Sequence, residues 1–442
     1  MRVAVVGLGK LGAPLAAVLA SKGNDVLGID VNPEAVRRLQ EGVAPVQEPG
    51  LQELVTANAK RLSGTTQLEA AAECDVTILL VPTPSDERGA FTNAFLLDAI
   101  ERVGRGLADR DGYHVVVVAS TVMPGSSESE LRPAIEQASG RQVGDSLGLC
   151  YSPEFIALGN VIRDMLEPDM VLIGESDARA GDTLEALYAG VCENDPPFRR
   201  MSLVNAELTK IAVNTYVTMK ISYANTLADL CERLPGADVE SVTGALGLDT
   251  RIGGKYLRGA IAYGGPCFPR DNKAFAVLAR DLGTEAPLAE ATDAINEAQS
   301  QRLARLVLSR LGANDAVGVL GLSYKPDTAV VDESPGIALA ALLAENGVRE
   351  INVYDPVATD AATLVLGAAA RPCTSAGEVL ERSDVVVITT PWREFAHLPV
   401  ERVADRDRKP VVIDCWRLLG DEVGDAVELV RLGTPLETHI AR

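Results

Sequence analysis

Met1-Arg2-Val3-Ala4-Val5-Val6-Gly7-Leu8-Gly9-Lys10-Leu11-Gly12 is the stretch that decides the architecture. Arg2–Val6 is a short, largely β-branched apolar run, and a glycine-spaced turn follows it at once. The amphipathic segment Ala13–Lys22 comes next, so the pattern reads strand, tight turn, helix. In such a turn Gly7 permits the reversal, Gly9 lets backbone approach a pyrophosphate, and Gly12 allows close packing of helix on strand. The helix N-terminus then faces phosphate. A second apolar strand, Asp25–Ile29, ends beside Asp30, 18 residues after the last glycine. A carboxylate there can accept hydrogen bonds from a ribose diol and would repel a 2′-phosphate, which favours NAD over NADP. The plainer alternative is a glycine turn in an α/β domain that binds no nucleotide.

Outward from this turn the same alternation continues. Val76–Val81, His114–Ala119 and Leu147–Tyr151 read as strands, with helical patterns at Glu34–Gln40 and Ala94–Gly104. Continuous apolar strands separated by helices imply a parallel sheet buried on both faces. The pattern returns at Ala316–Leu320, Ile351–Tyr354, Val385–Thr389 and Pro410–Ile413, with Ser334–Asn346 as a helix. Between the two lies a helical part. Leu203 to Leu234 contains neither Gly nor Pro, and as one helix it would run roughly 48 Å. Pro196-Pro197 breaks the chain before it and Pro235-Gly236 ends it. A second helix-rich stretch, Ala274–Leu311, follows a Gly-rich loop from Gly253 to Asp271. The expected fold is α/β, with two Rossmann-like doubly wound domains joined by a helical central domain. The expected boundaries are 1–198, 199–300 and 301–442.

Composition limits the partners. The 442 residues carry a formal charge of −21, which disfavours nonspecific binding to nucleic acid or an anionic membrane. No apolar run reaches membrane-spanning length, and Met1–Gly12 runs directly into the first strand, without the pattern of a signal peptide. Seven cysteines are scattered without Cys-x-x-Cys spacing, which reads as reduced thiols and a cytoplasmic setting. His114, His397 and His439 are far apart in sequence, so neither a His-based metal site nor a Ser-His-Asp triad is supported, and no metal is expected.

Two groups of residues carry chemistry. Glu207, Lys210 and Asn214 share one face of the long helix, where an ammonium and an amide one turn apart can converge on a developing oxyanion. A solvated helix face is the plain alternative. In the Gly-rich loop, Cys267 stands in Tyr263-Gly264-Gly265-Pro266-Cys267-Phe268-Pro269-Arg270-Asp271. Flanking glycines and prolines constrain that turn and can present the thiol to a ligand, with a carboxylate four residues on.

The ordered set of motifs resembles the UDP-glucose/GDP-mannose dehydrogenase family over nearly the whole chain. After Gly7–Gly12 and Asp30 come Glu48-Pro49-Gly50-Leu51, Val81-Pro82-Thr83-Pro84, Ser120-Thr121-Val122 and Ser152-Pro153-Glu154-Phe155. Ala206-Glu207-Leu208-Thr209-Lys210, Asn214, the cysteine loop, Gly321-Leu322-Ser323-Tyr324-Lys325 and Asp414-Cys415-Trp416-Arg417 complete it. The resemblance implies a four-electron oxidation of a nucleotide-sugar C6 alcohol to a carboxylate by two NAD, most like that of UDP-glucose. Cys267 would be the covalent nucleophile, and Lys210 and Asn214 would stabilise the C6 oxygen. Asp271 and Thr121 would position water, and Glu154 would handle protons. Gly7, Gly9, Leu11, Gly12, Asp30, Thr83, Ser120 and Thr121 would hold NAD. Glu154, Phe155, Ile156, Lys210, Arg251, Tyr256, Arg258, Gly264, Lys325 and Arg417 would meet the nucleotide sugar. Arg251 would reach a neighbouring subunit's site, which implies a homodimer or larger homo-oligomer. Two positions depart from the family: Leu158 where many relatives carry Glu, and Asp332 where many carry Arg. The remaining alternatives are GDP-mannose or another UDP-sugar as substrate, a two-electron β-hydroxyacid-type dehydrogenase, and a non-catalytic NAD sensor.

Overall fold

The computed structural model describes residues 1–156 and 158–436; His439 lies outside the described residues. The chain divides into two compact units, Met1–Val213 and Asn214–Arg442.

Among the described residues the first unit holds an eight-stranded sheet. Its strands are β1 (Arg2–Val6), β2 (Asp25–Ile29), β3 (Leu62–Thr65), β4 (Val76–Leu79), β5 (His114–Val118), β6 (Leu147–Tyr151), β7 (Val171–Glu175) and β8 (Phe198–Ser202). They run in the order β3-β2-β1-β4-β5-β6-β7-β8. Val3 and Val5 pack into one apolar cluster and Ala4 and Val6 into another, so both faces are buried, as the continuous apolar strands require. One expectation is corrected: the sheet is not wholly parallel, because β6 and β7 pair antiparallel. His114, at the start of β5, is buried; its ring nitrogens lie 2.9 Å from Thr77 Oγ1 and 3.0 Å from the Cys74 carbonyl.

The second unit repeats the architecture with β9 (Val317–Leu320), β10 (Ile351–Tyr354), β11 (Arg371–Pro372), β12 (Val385–Ile388), β13 (Val411–Asp414) and β14 (Glu428–Arg431). These form a parallel sheet in the order β11-β10-β9-β12-β13-β14. Past β14 the chain returns to the start of the unit. Gly433 N–H donates to Glu232 Oε1, Leu436 N–H to the Glu232 carbonyl, and Val239 N–H to the Gly433 carbonyl.

The Gly- and Pro-free stretch forms one helix, Leu203–Arg233, and the boundary between the units falls inside it. The expected stretch Ala274–Leu311 is two helices, Phe268–Asp281 and Pro287–Leu308. The first of them starts inside the segment expected to be loop. Pro269 occupies its first turn, where a missing N–H costs nothing. Asp271 is therefore helical rather than part of a loop.

Candidate active site

In the first unit the expected cofactor residues gather at the carboxyl ends of the strands, where the strand order reverses between β1 and β4. Gly7 has φ +98°, and a Cβ on it would lie 2.4 Å from the Leu80 carbonyl oxygen. A Cβ on Gly12 would lie 1.7 Å from the Gly7 oxygen, so any side chain there would push the helix Gly12–Ser21 off the turn. Gly9 faces open space instead. That helix follows Leu11 with no side chain capping its N-terminus, which leaves N–H groups to face a ligand. Asp30 Oδ2 accepts from Leu8 N–H at 2.6 Å and Oδ1 from Asn32 N–H at 2.8 Å. The carboxylate is half-buried and keeps lone pairs for further donors. Beyond β4 and β5, Thr83 Oγ1 donates to the Thr121 carbonyl at 2.6 Å and Ser120 Oγ to the Val81 carbonyl at 2.6 Å. An open turn, an uncapped helix and an acid at the end of β2 fit a dinucleotide.

Glu154 follows β6. Removal of its carboxyl from water pushes its pKa up to about 7, against the opposing pull of Lys210. Lys210 donates from Nζ to the Glu154 carbonyl at 2.5 Å and lies 4.7 Å from the centre of the Phe155 ring. Phe155 and Ile156 are part-buried and lean on opposite apolar clusters of the sheet. Glu207, Lys210 and Asn214 are all buried, so the solvated-face alternative does not hold. The Glu207 carboxylate accepts from Gly125 N–H at 2.6 Å and Ser127 N–H at 2.8 Å, and burial raises its pKa.

In the second unit, Cys267 is exposed and caps the helix Phe268–Asp281. A helix N-terminus favours negative charge on a group placed there. One turn on, Asp271 is 1% exposed, and its Oδ2 accepts from Asn214 Nδ2 at 2.6 Å. The helix thus links the thiol, the acid and Asn214. Tyr256 (φ +65°) and Tyr263 both set ring edges against Phe268. A Cβ on Gly264 would lie 2.0 Å from the Glu333 carbonyl oxygen, so that glycine is needed for close approach.

The four cations of this unit expected at the nucleotide sugar differ in their surroundings. Arg417 (φ +54°) pairs with Asp238 at 2.5 Å and Glu240 at 3.5 Å, and donates to the Leu432 carbonyl at 3.2 Å. Arg258 donates to the Trp416 carbonyl and lies 3.9 Å from Glu240, so the two arginines share that acid. Lys325 sits with Nζ 6.0 Å from the Tyr324 ring centre. Arg251 stands apart, its side chain 86% exposed and held only 2.6 Å from Asp249.

Sequence reasoning missed three positioning groups. Asp238 and Glu240 fix the arginines, and their acidity in a helix start gave no signal of that. Glu48 accepts from Gly159 N–H and Val161 N–H, fixing the segment after Glu154; it lay in a quoted motif without a role. Of the two departures, Leu158 is part-buried and packs on the first apolar cluster, while Asp332 uses its carbonyl to accept from Gly265 N–H at 3.0 Å.

Residues 1–192 match the NAD binding domain of the UDP-glucose/GDP-mannose dehydrogenase family, residues 204–298 its central domain and residues 318–421 its UDP binding domain. A UDP-glucose 6-dehydrogenase of Haloferax volcanii is 36% identical over 423 residues, covering 95% of this chain and 97% of that protein. A GDP-mannose 6-dehydrogenase of Pseudomonas putida is 34% identical over 363 residues, covering 80% of this chain and 81% of that protein. The structure of a UDP-glucose dehydrogenase from Pyrobaculum islandicum superimposes with a TM-score of 0.88 at 35% identity, covering 98% of both chains. With its three domains matched in order and relatives alike from end to end, the chain belongs to the UDP-glucose/GDP-mannose dehydrogenase family.

Proposed function

We propose that the protein oxidises the C6 alcohol of UDP-glucose to the carboxylate of UDP-glucuronate, consuming one water and two NAD. The observation that carries the reading is Cys267 at the N-cap position of a helix whose first turn holds Asp271 against Asn214. Matched UDP-binding and NAD-binding domains, and a UDP-glucose 6-dehydrogenase alike over 95% of the chain, support the substrate.

Gly7, Gly9, Leu11, Gly12 and Asp30 would hold the pyrophosphate and ribose of NAD, with Thr83, Ser120 and Thr121 closing the far side. When bound, NAD supplies the hydride acceptor for both oxidations, alcohol to aldehyde and thiohemiacetal to thioester. Cys267, as thiolate, adds to the aldehyde carbon between the two and leaves when water attacks the thioester. Lys210 and Asn214 donate to the C6 oxygen as negative charge develops on it. Asp271 and Thr121 orient the water. Glu154, with a pKa of about 7, can hold or release a proton near neutrality. Lys325, Arg258 and Arg417, together with Tyr256 and Gly264, are proposed for the nucleotide and sugar.

In this reading the chain has a dinucleotide domain at 1–198, a central helical domain at 199–300 and a nucleotide-sugar domain at 301–442. It works in the cytoplasm as a homodimer or larger homo-oligomer in polysaccharide biosynthesis. Leu208, Tyr216, Tyr223 and Leu230 leave an exposed apolar stripe along the long helix, a surface of the kind that a second copy covers. None of the seven cysteines, all of which lie among the described residues, forms a disulfide. No helix of the described residues is long and apolar enough to cross a membrane.

Replacement of the thiol tests the mechanism. Cys267→Ser should keep fold and NAD binding but lose turnover by roughly three or more orders of magnitude, since a serine hydroxyl does not ionise near neutrality. Intact-protein mass should reveal a slowly hydrolysed sugar ester. Wild-type turnover would remove the covalent step. The second substrate reading, GDP-mannose, rests on the similarity to the Pseudomonas putida enzyme, and NADH formation across a panel of nucleotide sugars decides between them.

A further inference from the structure

The segment that leads to Cys267 is buried yet has no helix or strand of its own. Gly259 through Gly265 are all buried, and the chain emerges at Pro266 and Cys267. Backbone polar groups removed from water must find partners, and irregular backbone has no ladder to supply them. Two asparagine side chains on two different helices do so here.

Asn225, 1% exposed on the long helix, accepts from Ala260 N–H at 2.8 Å and donates to the Ile261 carbonyl at 2.9 Å. Asn296, on the helix Pro287–Leu308, accepts from Tyr263 N–H at 2.8 Å and donates to the Tyr263 carbonyl at 3.0 Å. A carboxamide carries one acceptor and one donor group side by side, so each asparagine acts as a one-residue piece of neighbouring strand. Carboxylates lack the donor and hydroxyls cannot span both groups. The segment also fits tightly. A Cβ on Gly259 would lie 2.7 Å from the Ala224 carbonyl oxygen, and one on Gly265 would lie 2.5 Å from the Tyr324 ring. Two residues beyond Gly265 comes Cys267, at the N-cap position of the helix Phe268–Asp281.

We infer that Asn225 and Asn296 are positioning residues: their paired carboxamide bonds to Ala260–Tyr263 set where the thiol of Cys267 stands. The inference rests on the reading of Cys267 as covalent nucleophile. It assigns the asparagines to thiol capture and the second oxidation, and not to cofactor binding or the first hydride transfer.

The test uses the full-length protein with Asn225→Ala, Asn296→Ala and Asn296→Asp, beside Cys267→Ser. Hydrogen exchange at Ala260 and Tyr263 should accelerate in the matching alanine variants, because those amides lose their acceptors. Turnover to the acid should fall roughly 10- to 100-fold, the scale of a misplaced reacting group. The pre-steady-state formation of the first NADH and the affinity for NAD should stay within about twofold. Released sugar aldehyde, trapped with hydroxylamine, should rise as acid falls. Asn296→Asp, which keeps the acceptor for Tyr263 N–H, should lie between wild type and Asn296→Ala. Should Asn225→Ala fail to fold, Asn296, which is only part-buried, carries the test. Faster exchange with an unchanged acid-to-aldehyde ratio would overturn the inference by leaving a purely structural role. Unchanged exchange would overturn it as well. Failure of the thiol reading itself shows separately, as normal turnover in Cys267→Ser.

Discussion

The two sheets present the same device at the same place and use it differently. Gly7 and Gly321 both follow the first strand of their sheet at φ near +100°, and each donates its N–H to the carbonyl of the residue ending the second strand. A Cβ on Gly12 would strike the Gly7 oxygen, and one on Gly336 would strike the Gly321 oxygen at 2.2 Å. After each second strand stands an aspartate, Asp30 or Asp355. There the likeness ends. Asp30 binds two backbone N–H groups and remains half-buried. Asp355 is 2% exposed, and its Oδ2 accepts from Leu322 N–H, Ser323 N–H, Ser323 Oγ and Trp392 Nε1, while Oδ1 accepts from Val357 and Ala358 N–H. The helix Pro335–Glu345 is capped by its own Ser334, whereas Gly12–Ser21 has no side-chain cap. One turn stays open, in the part of the chain that matches an NAD binding domain; the other is closed by its own side chains, and the ten extra residues between its glycines carry Lys325.

The largest expected difference between the two is in stability. Asp355→Ala should strand several buried donors and destabilise the second unit by about 3 kcal/mol or more, with NAD affinity unchanged. Denaturation monitored by Trp392 and Trp416 fluorescence, both in that unit, measures it. A mild loss would break the comparison.

Acid should next separate the units. Burial lowers the His114 pKa to about 4, below its ordinary 6.5. Between those values the unfolded chain takes up a proton that the folded one refuses, so stability is intact above pH 6.5 and falls as pH drops toward 4. The shift corresponds to about 3 kcal/mol. His397 in the second unit is exposed. Hydrogen exchange should therefore show the first sheet losing protection over that range, and His114→Asn should flatten the response.

The smallest effect belongs to Asp30→Ala, which should leave stability nearly unchanged while reducing the preference for NAD over NADP. A loss of about 1.5–3 kcal/mol in relative kcat/KM is expected, the range of a hydrogen bond to a charged group. An unchanged ratio would place the ribose elsewhere.

What could be read beforehand followed from local rules. The turn at Gly7–Gly12 and the long helix depend on spacing and on the absence of Gly and Pro, and both stand where expected. The reading failed where tertiary partners decide. β8 is Phe-Arg-Arg-Met-Ser, an edge strand whose arginines conceal it from any apolar pattern. The antiparallel β7 has apolar residues but no local mark of its direction. Pro269 reads from sequence as a loop constraint, although proline suits the first turn of a helix equally well. Of the site, residue types in motifs were legible. The caps and clamps that hold them, such as Glu48, Asp238, Asn225 and Asn296, were not, because their partners lie far away in sequence.

The return of residues 433–436 onto Glu232 bears on how the protein is made. Those bonds join positions about 200 apart in the chain. Every residue of the first unit has been synthesised once Val213 is out, so that unit can fold while translation continues. The long helix and the helices after it must then wait, with the thiol segment incompletely supported, until the last strand has been made. Over that interval the nascent second unit exposes apolar surface of the kind that chaperones bind, and a nonsense or frameshift lesion ahead of residues 433–436 would remove the tie that closes it.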